Sequence, residues 1–239
     1  MTHAIGTPLL SELEDRTEAE RLELVNARDS QSKRFWDSVN SSPIFPYLSR
    51  WEREFATKTM LTMSFQQHLD GMWRLEAAQV LMWALRLVAQ LPEPDAQSEI
   101  DLPKLEILKR PTSFLDSAAL RIQSEIARAR NLAELWHWRS RTEELIREGR
   151  PFPAGEAMLR QELRSYQDIV RRAAIAAHES GDIHSLVGDD FGVKGKSYVE
   201  LSPEEWSEVR SISVERHFAL NWLCGYSPNN EWDHTPTDT

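Results

Sequence analysis

The sequence predicts an all-α fold, an irregular array of seven to nine helices with room for one short hairpin near residues 191–199. Three observations carry that expectation. There are only nine glycines among 239 residues, and Leu, Ala, Glu and Arg are abundant, which favours helices over a sandwich or barrel. In residues 72–91, MWRLEAAQVLMWALRLVAQL, the apolar side chains Trp73, Ala77, Val80, Ala84, Val88 and Leu91 recur at helical steps, and Leu81 and Leu85 widen the stripe. Later, Ser202, Pro203, Glu204 and Glu205 form a helix start, with an N-cap serine, proline at the first helical position and acids in the first turn.

The other elements follow in order. Residues 8–28 carry Leu9, Leu10, Leu13, Leu22, Leu24 and Val25 among many charges, as a surface helix would. NSSPIFP at 40–46 breaks the chain. Residues 47–69 resume a helical pattern, with Trp51, Phe55, Met60, Met63 and Phe65 as core side chains. LPEPD ends the 72–91 helix, and a short helix is expected near 102–109. Residues 113–148 read helical from the cap Ser113, with a bend or break near Asn131, and Gly149 closes them ahead of Pro151 and Pro153. A further helix spans 155–180 and ends at Gly181. The stretch 182–201, with Gly188, Gly192 and Gly195, is an irregular loop that holds the hairpin. The last helix runs to about Cys224, where Gly225 stops it. This organisation gives a core domain over 72–239, with residues 1–70 as a helical extension packed on it.

Charge and composition exclude several classes of function. A net charge of -10 argues against nucleic acid, whose phosphates need a basic face. The acids gather at the two ends: residues 1–30 hold seven against three bases, and residues 181–239 hold eleven against four. Such ends can steer a basic partner, although a solvated acidic surface is the commoner meaning. Cys224 is the single cysteine, so no internal disulfide forms, in keeping with a reducing compartment. MTHAIGTPLL lacks a basic then apolar leader, and no apolar run approaches the roughly 18 residues of a membrane span. The expectation is a cytoplasmic protein with no membrane and no nucleic-acid partner.

Several arginines fall on the wrong face of their helices. Arg216 sits inside the stripe of Val209, Ile212, Ala219 and Leu223, and Arg139 falls on that of Leu132, Leu135 and Ile146. Arg74 precedes Ala78 by four residues, and Arg121 has Glu125 one turn later. A buried guanidinium cannot shed its proton and needs acceptors. Glu76, Glu125 and Glu215, nearby in sequence, and Asp233 and Asp238, at the end of the chain, are the candidate carboxylates for planar pairing. On this reading Trp232 anchors the C-terminal segment to the helices, and Asp233 or Asp238 neutralises an inward arginine.

WRLEAAQVLMWAL (73–85), LRIQSEI (120–126), LWHWRSR (135–141) and VERHFALNWLCGY…EWDHTPTDT (214–239) resemble the bacterial family known as domain of unknown function 4272, from about residue 72 to the end. By that resemblance, Arg74, Glu76, Arg121, Glu125, His137, Trp138, Arg139, Glu215, Arg216, Asn221, Trp222, Trp232, Asp233 and Asp238 hold signature positions. The family implies a fold and no reaction.

Motifs for chemistry are missing. His178, His184, His217 and His234 fit neither H-E-x-x-H nor any zinc spacing, so no metal is expected. Cys224 lies near a helix C-terminus, where the dipole opposes a thiolate. No G-x-S-x-G occurs, and GDDFGVKGK matches no phosphate or dinucleotide cradle, so no cofactor is expected. His137, between Trp136 and Trp138, is the best acid–base candidate, and a satisfied structural histidine is its commoner meaning. Two functional readings follow. One is a non-enzymatic interaction or structural protein that binds a protein partner. The other is a small-molecule site for an anionic ligand, binding or hydrolytic, lined by Trp, His137, Arg139 and the C-terminal carboxylates.

Overall fold

A computed structural model gives the fold and describes residues 16–58, 63–100, 116 and 118–239. The expected Leu9, Leu10, Leu13 and Met60 positions, the short helix near 102–109 and the Ser113 cap lie outside the described residues. Contacts divide the chain into two units. The first comprises Met1–Leu91, Ser98–Ile122 and Gly225–Pro236; the second comprises Pro92–Gln97, Gln123–Cys224 and Thr237–Thr239.

The first unit holds α1 (Glu18–Asn40), α2 (Arg50–Ala56) and α3 (Phe65–Ala84), with single 3-10 turns at Phe45–Tyr47, Pro228–Asn230 and Trp232–His234. All three helices begin on a reciprocal capping box: Thr17 with Glu20, Ser49 with Glu52, and Ser64 with Gln67. In each, a hydroxyl accepts a first-turn amide and the acid or amide side chain reaches back, a pair of bonds worth about 1 kcal/mol. α3 stops at Ala84, earlier than the periodicity through Leu91 implies, because tertiary bonds replace its next turn. The N–H of Arg121 donates to the Ala84 carbonyl at 2.8 Å and that of Ala119 to Leu85 at 3.1 Å, while Arg86 turns into the left-handed region at φ 59°.

The second unit holds α4 (Gln123–Arg147), α5 (Glu156–Arg160), α6 (Tyr166–Glu179) and α7 (Pro203–Leu223). Between α6 and α7 lie β1 (Leu186–Val187), β2 (Asp190–Val193) and β3 (Lys196–Ser197). The described residues thus form seven α-helices with a small three-stranded antiparallel sheet: predominantly helical rather than all-α, and one strand richer than the expected hairpin. α4 runs unbroken through Asn131 and begins at Gln123 rather than 113, and the single helix expected over 155–180 is two, separated where Glu162 takes φ 61°. α7 follows its sequence signals closely, with the Ser202–Glu205 capping box, Pro203 at its start and Cys224 as C-cap.

Both sheet turns are two residues long, Gly188–Asp189 and Lys194–Gly195, and all four residues have positive φ, as the hairpin turns that match strand twist require. β2 is buried on both faces. Around it Trp136, Ala174, Ala177, Ile183, Phe191, Tyr198 and Val209 form the hydrophobic core, with Trp136 edge-on to Phe191 at 5.3 Å. A Cβ at Gly192 would stand 2.1 Å from Ser185 Oγ and 3.1 Å from the Ser185 carbonyl oxygen. Gly192→Ala is therefore expected to destabilise the protein by about 1–3 kcal/mol, read as a shift in the urea midpoint. No described helix is long and apolar enough to cross a membrane.

Candidate functional site

Arg139, on the inward face of α4, is 1% exposed, the most deeply buried cation in the second unit. Its Nε and Nη2 donate to the two carboxylate oxygens of Asp190 at 2.8 and 2.7 Å, a two-point fork. Nη1 and Nη2 both reach Glu143 Oε2 at 3.1 Å, one turn along α4. Glu143 Oε1 accepts from Arg147 at 2.9 Å, so two arginines and two acids balance within one network. The guanidinium also lies 4.3 Å above the Tyr198 ring. Burial pulls hardest against its positive charge, but the hydrogen bonds and charge of Asp190, together with the charges of Glu143 and Tyr198, outweigh it and hold its pKa above the ordinary value. Burial likewise pushes the Tyr198 hydroxyl up to about 12, and it bonds to Ser140 Oγ at 2.6 Å.

This corrects the expected pairing. The inward arginine of α4 is neutralised by Asp190 and Glu143, not by the C-terminal carboxylates. Glu143 had a legible signal, its i,i+4 spacing from Arg139. Asp190, 51 residues away in a glycine-rich stretch, had none.

His137 of α4 and His217 of α7 meet at 3.0 Å between their Nδ1 atoms, so one ring donates and the other accepts. His217 is 0% exposed, and its Nε2 has no hydrogen-bond partner among the described residues. Burial lowers the pKa of His137 to about 4, with His217, Arg210 and Arg141 adding to it and Glu144 opposing. Burial, then Arg130, lowers His217 to about 4, and Asn221 pulls weakly the other way. Both rings are neutral near pH 7. Among the described residues no three His, Cys, Asp or Glu side chains gather as a metal site needs.

Backbone carbonyls receive Arg216 and Arg121. Arg216, 6% exposed, donates to the carbonyls of Pro92, Glu93 and Ala96 at 2.7–3.0 Å. Arg121 precedes α4 instead of lying on it, so a shared helical face with Glu125 does not hold it. Its guanidinium donates to the carbonyls of Trp83 and Ala89 at 2.8 Å and covers the Trp83 ring. Glu76, buried in α3, accepts the N–H and hydroxyl of Ser98 at 2.7 Å. Asn221 Oδ1 accepts from Arg130 Nε at 2.8 Å. Trp138 packs half-buried against the second unit's core, and Glu125, Glu215 and Trp222 are half-buried on α4 and α7. Burial raises the Cys224 thiol above its usual range, which suppresses thiolate chemistry.

The C-terminal segment behaves differently from its expected role. Asp233 is exposed and accepts the Trp51 N–H at 2.8 Å, so it caps the start of α2 rather than neutralising a buried cation. Asp238 is exposed and has no partner among the described residues. Trp232 lines a half-open cavity of about 190 Å³ in the first unit. Trp36, Trp51, Phe55, Val39 and Ile44 share its wall, which is mainly apolar. Arg74 also lines it, with its guanidinium 5.6 Å from the Trp51 ring centre. His137 and Arg139 belong to the interior of the second unit and line none of this wall.

Against known proteins, the profile of a domain of unknown function, DUF4272, matches residues 17–156. That span takes in α1 and α2, which precede the stretch that carries the resemblance, together with α3 and α4, and stops short of α7. No curated protein and no solved structure matches the chain.

Proposed function

Because the chain belongs to the DUF4272 family, whose name carries no activity, we propose its function from its own surface: a non-enzymatic interaction protein that binds a protein partner through its first unit. One observation carries this reading. Of the eight large hydrophobic side chains that remain exposed among the described residues, seven belong to the first unit: Leu22, Tyr47, Phe65, Met72, Leu120, Ile122 and Tyr226. Scattered single apolar residues are ordinary on a surface, but this bias places nearly all of them on one unit. Tyr47, 87% exposed, adjoins the cavity-lining Leu48, and Met72 adjoins the cavity-lining Gly71. Tyr and Met are enriched where proteins meet.

The second unit supports the same reading from the other side. Arg139, Glu143 and Asp190 are buried and engaged with one another, and His137 and His217 are buried and paired with each other, which is how a scaffold, rather than an open reaction centre, uses polar groups.

The double substitution Tyr47→Ser, Met72→Ser tests the proposal. Both sites are exposed, so the folded protein is expected to keep its melting temperature. The wild-type chain, isolated at its natural abundance, is expected to carry a stoichiometric protein partner, and the variant to retain at least tenfold less of it. A wild-type chain that travels alone, or a variant that keeps its partner in full, would overturn the proposal.

A further inference from the structure

We propose that the tryptophan-lined cavity of the first unit is a binding site for a small uncharged aromatic molecule, a single ring with at most a short substituent. This goes beyond the partner-binding surface and stands independently of it. The cavity is half-open and measures about 190 Å³, whereas packed interiors rarely leave voids larger than a water molecule. Sites for metabolites and nucleotides commonly enclose about 300–1,000 Å³, and an apolar cavity of about 150 Å³ holds benzene. The space here therefore suits one ring and excludes a nucleotide.

Lining sets the polarity. Trp36, Trp51, Phe55 and Trp232 supply aromatic surface, and Val39 and Ile44 add aliphatic contacts. Trp51 and Phe55, one turn apart on α2, stack with ring centres 4.9 Å apart and planes 21° from parallel. Water gains few hydrogen bonds against such a wall, and an aromatic guest gains ring-to-ring contact energy beyond simple burial. A saturated ring of the same size fills the volume without that gain.

Charge excludes ions. The wall carries one cation and one acid, Arg74 and Glu52, which are opposite in sign and each committed within the protein. The Glu52 carboxylate accepts the Ser49 N–H at 2.7 Å as part of the α2 cap. Arg74 is engaged within the chain, with its guanidinium carbon 5.6 Å from the Trp51 ring centre. A charged ligand would leave water without a counter-charge reserved for it, and that loss opposes its entry. An uncharged ring gives up little on leaving water and gains the aromatic wall.

The test titrates the full-length chain with toluene, with methylcyclohexane as its saturated counterpart, and with benzoate and benzylammonium as charged ones. Calorimetry gives the affinities, and the indole N–H resonances of Trp36, Trp51 and Trp232 locate the binding. Toluene is expected to shift those resonances and to show nuclear Overhauser contacts to the rings of Trp51 and Trp232. It is expected to bind about fivefold more tightly than methylcyclohexane, and about tenfold or more tightly than either ion. Val39→Trp, which fills the cavity, is expected to remove toluene binding with the helical circular dichroism unchanged, and Ile44→Trp, from the turn after α1, to do the same. Toluene that leaves the indole resonances unmoved in the wild-type chain, or that still binds both folded variants, would overturn the site. Methylcyclohexane binding as tightly as toluene would overturn the aromatic assignment, and an ion binding as tightly would overturn the uncharged one. None of these results would touch the Tyr47 and Met72 surface, which is tested by partner retention alone.

Discussion

Asp190→Ala is expected to lower the unfolding free energy by about 3–5 kcal/mol, because it leaves the Arg139 guanidinium 1% exposed with half of its acceptors gone. Arginine cannot deprotonate to relieve the strain, and water cannot reach it without opening the packing around Tyr198 and Phe191. Urea denaturation reads the effect. A double variant, Asp190→Leu with Arg139→Met, removes both charges and is expected to recover most of the loss, since well-packed apolar replacements of buried ion pairs are commonly neutral or better. Asp233→Ala forms the contrast: that side chain is exposed and holds one amide at the start of a seven-residue helix, so about 1 kcal/mol or less is expected. A loss below about 1 kcal/mol in Asp190→Ala, or a larger loss in Asp233→Ala, would remove the network from the centre of the second unit's stability.

Acidification below neutrality should destabilise the protein well before its carboxylates titrate. His137 and His217 both fall from an ordinary 6.5 to about 4 in the folded state, so the unfolded chain binds more protons throughout that interval. The linkage sign follows: stability is fully present above about pH 6.5, declines as pH falls toward 4, and is spent below it. Each ring's displacement corresponds to roughly 3 kcal/mol, and the pair to somewhat less than twice that because the two are coupled. Unfolding free energies measured from pH 7 down to 4.5 are expected to drop with a slope of up to about 2.7 kcal/mol per pH unit. The variant His137→Phe, His217→Leu should lose most of that slope. Some remains with His68, whose burial displaces it in the same direction. A flat profile between pH 6.5 and 5 in the wild-type chain would sink this account.

The parts of the fold written in local chemistry were legible. The Ser202–Pro203–Glu205 start of α7 and its end at Cys224 are decided within a few residues, as is the break after α1 at Asn40. Elements ended by distant contacts were not. α3 closes at Ala84 because the backbone of residues 119–121 takes its carbonyls, a cause that lies more than thirty residues away. The site divides along the same line. That Arg139 and Arg216 turn inward could be read from their apolar neighbours, for an arginine in a stripe of Val, Ile and Leu must go where the stripe goes. What receives them could not, since any carboxylate or any run of spare carbonyls serves, and Arg216 took the latter. His137 and His217 were each noticed singly; their contact spans 80 residues and leaves no trace in spacing. The tryptophan cavity combines α1, α2, α3 and the C-terminal segment, so each of its indoles, taken alone, looks like ordinary core.

Strands of two, four and two residues carry too few ladder bonds to fix their own alignment. Here the alignment is enforced by charge. Sliding β2 by the one position that brings Phe191 into the place of Asp190 would leave the buried Arg139 fork facing an apolar ring, an error that costs several kcal/mol. The ion pair thus acts as a proofreader of chain threading: it makes the slip that would bring up Phe191 electrically intolerable for this small ribbon.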